Sequence, residues 1–81
     1  MPARLEGKVN RAVGAKQTTR AIAEGRAVVV YLAKDAEERV TSPIASLCTE
    51  KGLEVIFVDS MRDLGAKCGI DVGAAAAALL E

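Results

Sequence analysis

Residues 14–20 read Gly-Ala-Lys-Gln-Thr-Thr-Arg. A helix opened by Gly14, just after the apolar pair Ala12-Val13, would group Lys16, Gln17 and Arg20 as donors on its first turn and a half. Lys16 and Arg20 stand four apart and so share a face. Beside them lie backbone N–H groups without intrahelical partners, at the positive end of the helix dipole. Such a cluster suits a partner rich in acceptors and negative charge, and a nucleic acid is the first candidate. Gln17 adds an amide that both donates and accepts, which a pure phosphate binder would not need; it can read a base edge, while Lys and Arg recognise guanine O6 and N7. An ordinary solvated helix face is the alternative for these three residues.

A second candidate is Gly69-Ile70-Asp71-Val72-Gly73, two β-branched apolar residues in a glycine-flanked loop. They either plug the core or, if exposed, make an apolar shelf for an unstacked base. Tyr31 and Phe57 are the only aromatic residues, which disfavours sheet-based RNA modules and single-strand grooves built on stacking. What remains is a shaped, partly paired RNA read by polar contacts, with an aliphatic loop against an extruded nucleotide.

Several elements must position these groups. Leu5, Val9, Ala12 and Val13 recur at helical spacing, with Lys8 and Arg11 on the opposite side, and predict a first helix. A second helix starts near Lys16, turns Ala21 and Ile22 inward and ends at Gly25. The unbroken apolar run 27–33 predicts a central strand covered by helices on both faces. After a polar turn from Lys34 to Arg39, Ser42 and Pro43 read as the N-cap and first residue of a helix whose inward face is Ile44, Leu47 and Cys48, closed by Lys51-Gly52. The run 54–58 predicts a second strand, parallel to the first because a helix joins them. Ser60 and Asp63 resemble a capping box ahead of a short helix with Met61 and Leu64, after which Gly65, Gly69 and Gly73 punctuate a loop. Residues 74–80 are open to two readings, since their alanines favour helix while a short apolar segment can equally add a strand. Strands alternating with helices predict an α/β layered fold.

With 81 residues the chain is expected to form one domain, 1–81, in which folding buries only about 60% of the unfolded surface. Formal net charge is zero, but it is segregated: residues 1–34 hold seven Lys or Arg against two Glu, and residues 35–81 hold four against nine Asp or Glu. Such asymmetry points to an electrostatic footprint, with chance as the plainer explanation. Cys48 and Cys68 have nineteen residues between them, and the chain has no His and no Cys-x-x-Cys, so no metal site and no cofactor are expected. No leader opens the sequence, and its apolar runs fall far short of the roughly 20 residues that span a bilayer, so a cytoplasmic protein with reduced thiols and no membrane partner is expected.

Three separated segments are similar to one known family: Gly-Ala-Lys-Gln-Thr-Thr-Arg-Ala-Ile from Gly14, Ala33-Lys34-Asp35-Ala36, and the stretch from Leu64 through Gly69-Ile70-Asp71-Val72-Gly73 to Ala74. In order and spacing they resemble the kink-turn-binding ribosomal proteins grouped as L-seven-Ae and L-thirty-e, above all the small bacterial members of the YbxF and YlxQ type. The resemblance runs along nearly the whole chain. It implies a three-layer α/β/α sandwich with a four-stranded mixed sheet, and it tips residues 74–80 toward a closing strand. It also implies a non-enzymatic protein that binds and stabilises kink-turn RNA, an internal loop with tandem sheared G·A pairs, a sharp bend and an extruded nucleotide. Ribosomal RNA, a riboswitch or another structured RNA would serve as partner, with the ribosome as one setting, and the protein would act as a monomer. On this resemblance Lys16, Gln17 and Arg20 reach guanine edges and phosphates, and Gly14 keeps the approach open. The turn from Lys34 to Glu37 borders the site, while Ile70, Asp71, Val72 and Gly73 form the loop under the extruded nucleotide. Where archaeal and eukaryotic members carry Asn-Glu, this chain has Lys16-Gln17, as bacterial members do, so a neutral amide replaces a carboxylate.

The physics agrees with that assignment. An A-form major groove is too deep and narrow for side chains, so a helix reads it only where a kink and non-Watson–Crick pairs expose base edges. Two other functions compete. One is an enzyme using Cys68 as a redox or nucleophilic thiol beside Lys67; the other is a protein–protein adaptor whose acidic second half docks a basic partner.

Overall fold

A computed structural model describes residues 10–81. Its elements are β1 (Arg11–Val13), α1 (Ala15–Ala23), β2 (Ala27–Ala33), α2 (Glu38–Lys51), β3 (Glu54–Val58), α3 (Met61–Lys67) and β4 (Ala76–Leu80). The four strands form one mixed sheet in the order β1-β4-β2-β3, with β2 and β3 parallel and β4 antiparallel to both β1 and β2. Alternation along the strands divides the core in two. Val30, Leu32, Ala76 and Ala78 pack with Ile22 of α1 and with Ile44 and Cys48 of α2, while Ala33, Val58, Ala77 and Leu79 pack with Leu64 of α3 and Cys68. The result is the expected three-layer α/β/α sandwich: α1 and α2 cover one face, α3 the other.

The apolar run 27–33 is β2, as its β-branched content requires. β4 takes the alanine-rich stretch despite its helical propensity, because it is paired on both sides. It is therefore a central strand rather than one that closes an edge. Ala76, Ala77 and Ala78 are fully buried, and their small side chains let the helical layers approach the sheet closely.

Three local expectations are corrected. Arg11, Ala12 and Val13 lie in a strand, not a helix, opposite Leu79, Ala78 and Ala77. Three residues are too few to separate a two-residue period from a helical one, and pairing with β4 decides the matter. The remaining residues named for that helix, Leu5, Lys8 and Val9, lie outside the described residues. α2 begins at Glu38, with Glu37 as its N-cap, so Pro43 lies inside the helix rather than at its start. The amides of Val40 and Thr41 donate to Glu37 O at 2.9 and 3.1 Å, and Glu38 in the first turn suits the helix dipole, so the helix starts ahead of Ser42-Pro43. Gly65 lies within α3, not in a loop.

The remaining boundaries agree with local chemistry. Gly25 follows α1 at φ +72°, and Gly52 ends α2 in the left-handed conformation with Leu53 N–H donating to Cys48 O at 2.8 Å. Ser60 Oγ accepts from Asp63 N–H at 3.0 Å and caps α3.

Candidate nucleic-acid interface

All four strands meet the candidate residues at one rim of the sheet. Gly14 N–H donates to Ala76 O at 2.8 Å, Ala33 N–H to Ala75 O at 2.9 Å and Lys34 N–H to Val58 O at 2.8 Å. The carboxyl ends of β1, β2 and β3 thus stand level with the amino end of β4. In open α/β sheets the crevice outside the carboxyl ends of the strands is where ligands bind.

Gly14 makes the entry into α1. Its φ of +98° with ψ 154° belongs to backbone space that is essentially restricted to glycine. That turn swings α1 onto the sheet, with Thr18 N–H donating to Gly14 O at 2.9 Å. Ala21 and Ile22 face inward, and Lys16, Gln17 and Arg20 are exposed. No acidic residue lies in the first turn of α1, so the dipole and the cations there act together. Arg20 also approaches Glu24 at 3.6 Å, an exposed i,i+4 pair worth at most about 1 kcal/mol. Beside Lys16 and Arg20 runs a groove of about 620 Å³ whose other lining includes Thr19 from α1 and Val40, Pro43 and Ile44 from α2.

The loop from Gly69 to Gly73 comes to this rim from the opposite layer. It runs back along α3, with Ile70 N–H donating to Gly65 O and Ala74 N–H to Met61 O, each at 3.0 Å. Gly65 must lack a side chain here: a Cβ would collide with the carbonyl oxygen of Val72 and come within 3.0 Å of its carbon and 3.2 Å of Gly73 Cα. Ile70 is 37% and Val72 70% exposed, so they form a surface shelf and do not plug the core. Four residues of chain, at most about 14 Å, lead from Val72 to Ala76, which holds Gly14.

Lys34 and Glu37 flank the rim, each in an exposed ion pair, Lys34 with Asp59 at 3.3 Å and Glu37 with Arg39 at 3.2 Å. Asp71 and Gly73 are exposed on the loop. Two residues whose positioning roles were not legible in the sequence hold this arrangement. Asp35 Oδ1 accepts from Met61 N–H at 2.7 Å and ties the turn after β2 to the start of α3. Arg11 Nη2 donates to Cys68 O at 2.8 Å and fixes the far end of the same helix, where the loop begins. The two contacts join residues 26 and 57 positions apart, so no local spacing announces them.

The geometry opposes thiol chemistry. Cys48 and Cys68 are both buried, and desolvation pushes both thiols above their ordinary range. The cation that acts on Cys68 is Arg11, not the neighbouring Lys67, and it only partly offsets burial. Both cysteines are expected to react with a disulfide reagent only after unfolding; rapid labelling of the native protein would contradict this. A thiol kept neutral in the fold and free to ionise when unfolded leaves stability intact below about pH 8.5 and lowers it as pH rises further. Among the described residues no group of His, Cys, Asp and Glu is arranged to hold a metal ion, and no helix is long and apolar enough to cross a membrane.

Comparison with known proteins agrees with this architecture. The "RNA-binding protein TTE2299" of Caldanaerobacter subterraneus subsp. tengcongensis is 53% identical over 68 residues, 84% of this chain and 83% of that protein. The "Large ribosomal subunit protein eL8" of Halobacterium salinarum is 40% identical over 79 residues, 96% of this chain but 64% of the relative, so the chain spans less than two thirds of that longer protein. Among solved structures, the "Giardia lamblia 15.5kD RNA binding protein" superposes with a TM-score of 0.82 at 25% identity, over 88% of this chain and 60% of that one. These relatives are named for RNA binding or for the ribosome, none for an enzymatic activity. The profile of the family described as "Ribosomal protein L7Ae/L30e/S12e/Gadd45 family" matches residues 4–81. Taken with the shared sandwich and the identity to its members, that match means the chain belongs to this non-enzymatic family.

Proposed function

We propose that this protein binds kink-turn RNA at the rim formed by the amino end of α1, the turn after β2 and the loop before β4. The observation that carries the reading is the convergence of exposed Lys16, Gln17 and Arg20 with exposed Ile70 and Val72 on one end of the sheet. Lys16 and Arg20 pair with phosphates and guanine edges, and Gln17 with a base edge through its amide. Gly14 keeps the helix tip low. Ile70 and Val72 support the extruded nucleotide, with Asp71 and Gly73 completing the loop, while Lys34 and Glu37 border the bent strand. The relatives named as RNA-binding proteins support this reading.

Recognition of this kind selects a shape. Binding energy holds the RNA in a bent conformation that it visits when free. The partner is a structured RNA such as ribosomal RNA or a riboswitch, and association with the ribosome follows if the kink lies in ribosomal RNA. Titration of the full chain with a kink-turn RNA and with an unkinked duplex of matching length tests the proposal. The kinked RNA is expected to bind at least about 100-fold more tightly, a difference of roughly 2.7 kcal/mol. Equal affinities would overturn it.

A further inference from the structure

The outer edge of β3 is a second surface. β3 pairs with β2 along one side and ends the sheet. Val58 O accepts from Lys34 N–H at the end of β2, so the peptide groups of Val58 face inward. Peptide groups of successive strand residues turn to opposite sides, so those of Val55 and Phe57 face outward, with no strand beside them among the described residues. Exposed edges in natural proteins are commonly blunted by lysine, proline or a bulge. β3, reading Glu-Val-Ile-Phe-Val, has no lysine or proline and pairs with β2 in unbroken register. Phe57 is 57% and Ile56 38% exposed, on opposite faces of this strand.

Charge selects the occupant. Glu54 begins the strand and Asp59, paired with Lys34 at 3.3 Å, follows it, and residues 50–63 hold four carboxylates against two cations. A second copy would bring the same acidic ends, and a nucleic acid would bring phosphates to carboxylates. We propose that the β3 edge accepts an extended protein segment with an apolar centre and lysine or arginine at its ends, which joins the sheet as a fifth strand. Main-chain hydrogen bonds from Val55 and Phe57 supply affinity, Ile56 and Phe57 pack against alternate side chains, and the acidic ends set the preference. β1, which leads into α1, is the opposite edge, three strand spacings or about 14 Å away. The carboxyl end of β3 reaches the rim, where Asp59 pairs with Lys34 at 3.3 Å, so a segment lying along β3 has one end beside the RNA site.

The test uses the full chain, isotope-labelled for amide spectroscopy, and the synthetic peptide Lys-Lys-Val-Thr-Val-Thr-Val-Lys-Lys. Shifts are expected to centre on residues 54–58, with exchange of the Val55 and Phe57 amides slowed at least about tenfold. Phe57→Ser and Glu54→Lys are each expected to weaken the peptide at least about fivefold. A peptide with glutamate ends, and one with proline at its central valine, should not bind. Equal binding of the proline peptide would reduce the effect to charge and overturn the proposal. Shifts lying elsewhere would also overturn it, as would self-association of the peptide-free protein that protects the same two amides, which would make a second copy the occupant.

Discussion

Gly65→Ala is expected to lower stability and RNA affinity together. The added methyl group would collide with the carbonyl oxygen of Val72 and stand 3.2 Å from Gly73 Cα, both parts of the backbone that cannot rotate away. Overpacking of this kind costs about 1–3 kcal/mol, and in the middle of a helix alanine recovers about 1 kcal/mol through propensity. Because the collision is with backbone, the cost falls at the upper end of that range, and a net loss of about 2 kcal/mol lowers the melting temperature of a domain this small by roughly 8–16 °C. Relief comes only by lifting the loop off α3, which breaks the Ile70 N–H bond to Gly65 O and moves the exposed shelf of Ile70 and Val72. Affinity for a kink-turn RNA should then fall at least about tenfold even well below the new melting temperature, because misplacement by an ångström forfeits contacts made across the rim. Thermal unfolding and binding measured on the same sample check both parts. Gly73→Ala is the milder comparison, since its Cβ would first meet the Met61 side chain at 3.1 Å. An unchanged melting temperature with unchanged affinity would show that the loop does not depend on Gly65.

The second large effect belongs to the paired variant Lys16→Ala/Arg20→Ala. Both side chains are exposed, and Arg20 contributes only a surface ion pair to the fold, so the melting temperature should stay nearly constant. Binding to kink-turn RNA should weaken roughly 100-fold at moderate salt, about 1.4 kcal/mol for each lost contact. The slope of log K against log salt should fall by about 1.4–1.8, since each phosphate contact contributes roughly 0.7–0.9. Val72→Ser separates charge from packing: it removes apolar surface from the shelf, weakens binding and leaves the slope unchanged. Retention of the full salt slope in the double variant would place the RNA elsewhere on the protein.

These outcomes depend on features of unequal visibility in the sequence. The Gly14 to Arg20 segment, the β-branched run of β2 and the glycine-flanked loop each carry their meaning in adjacent residues, and each takes its expected position. The start of α2 was harder to read, because Ser42-Pro43 offers a plausible helix start that the turn closed on Glu37 O precedes. β1 was hidden for a different reason: three residues cannot display a period, and their strand exists only because β4 lies alongside. Asp35 lay in a segment already noted and Arg11 on a predicted helix face, but the positioning role of each gave no local signal, since the groups that they hold are distant in the chain.

Local order thus set the composition of the site: which cations and which amide stand on α1, which aliphatic residues stand in the loop, and where glycine permits a turn. The tertiary structure alone decided that these pieces share a rim. An alanine-rich segment of ambiguous preference became β4 because its backbone groups found partners on both sides, in β1 and in β2. With β4 between them, Gly14 and Lys34 are brought level with the loop that begins near Cys68. Helical propensity acts within a few residues and amounts to tenths of a kcal/mol at each, whereas pairing along both edges of a buried strand satisfies every peptide group at once.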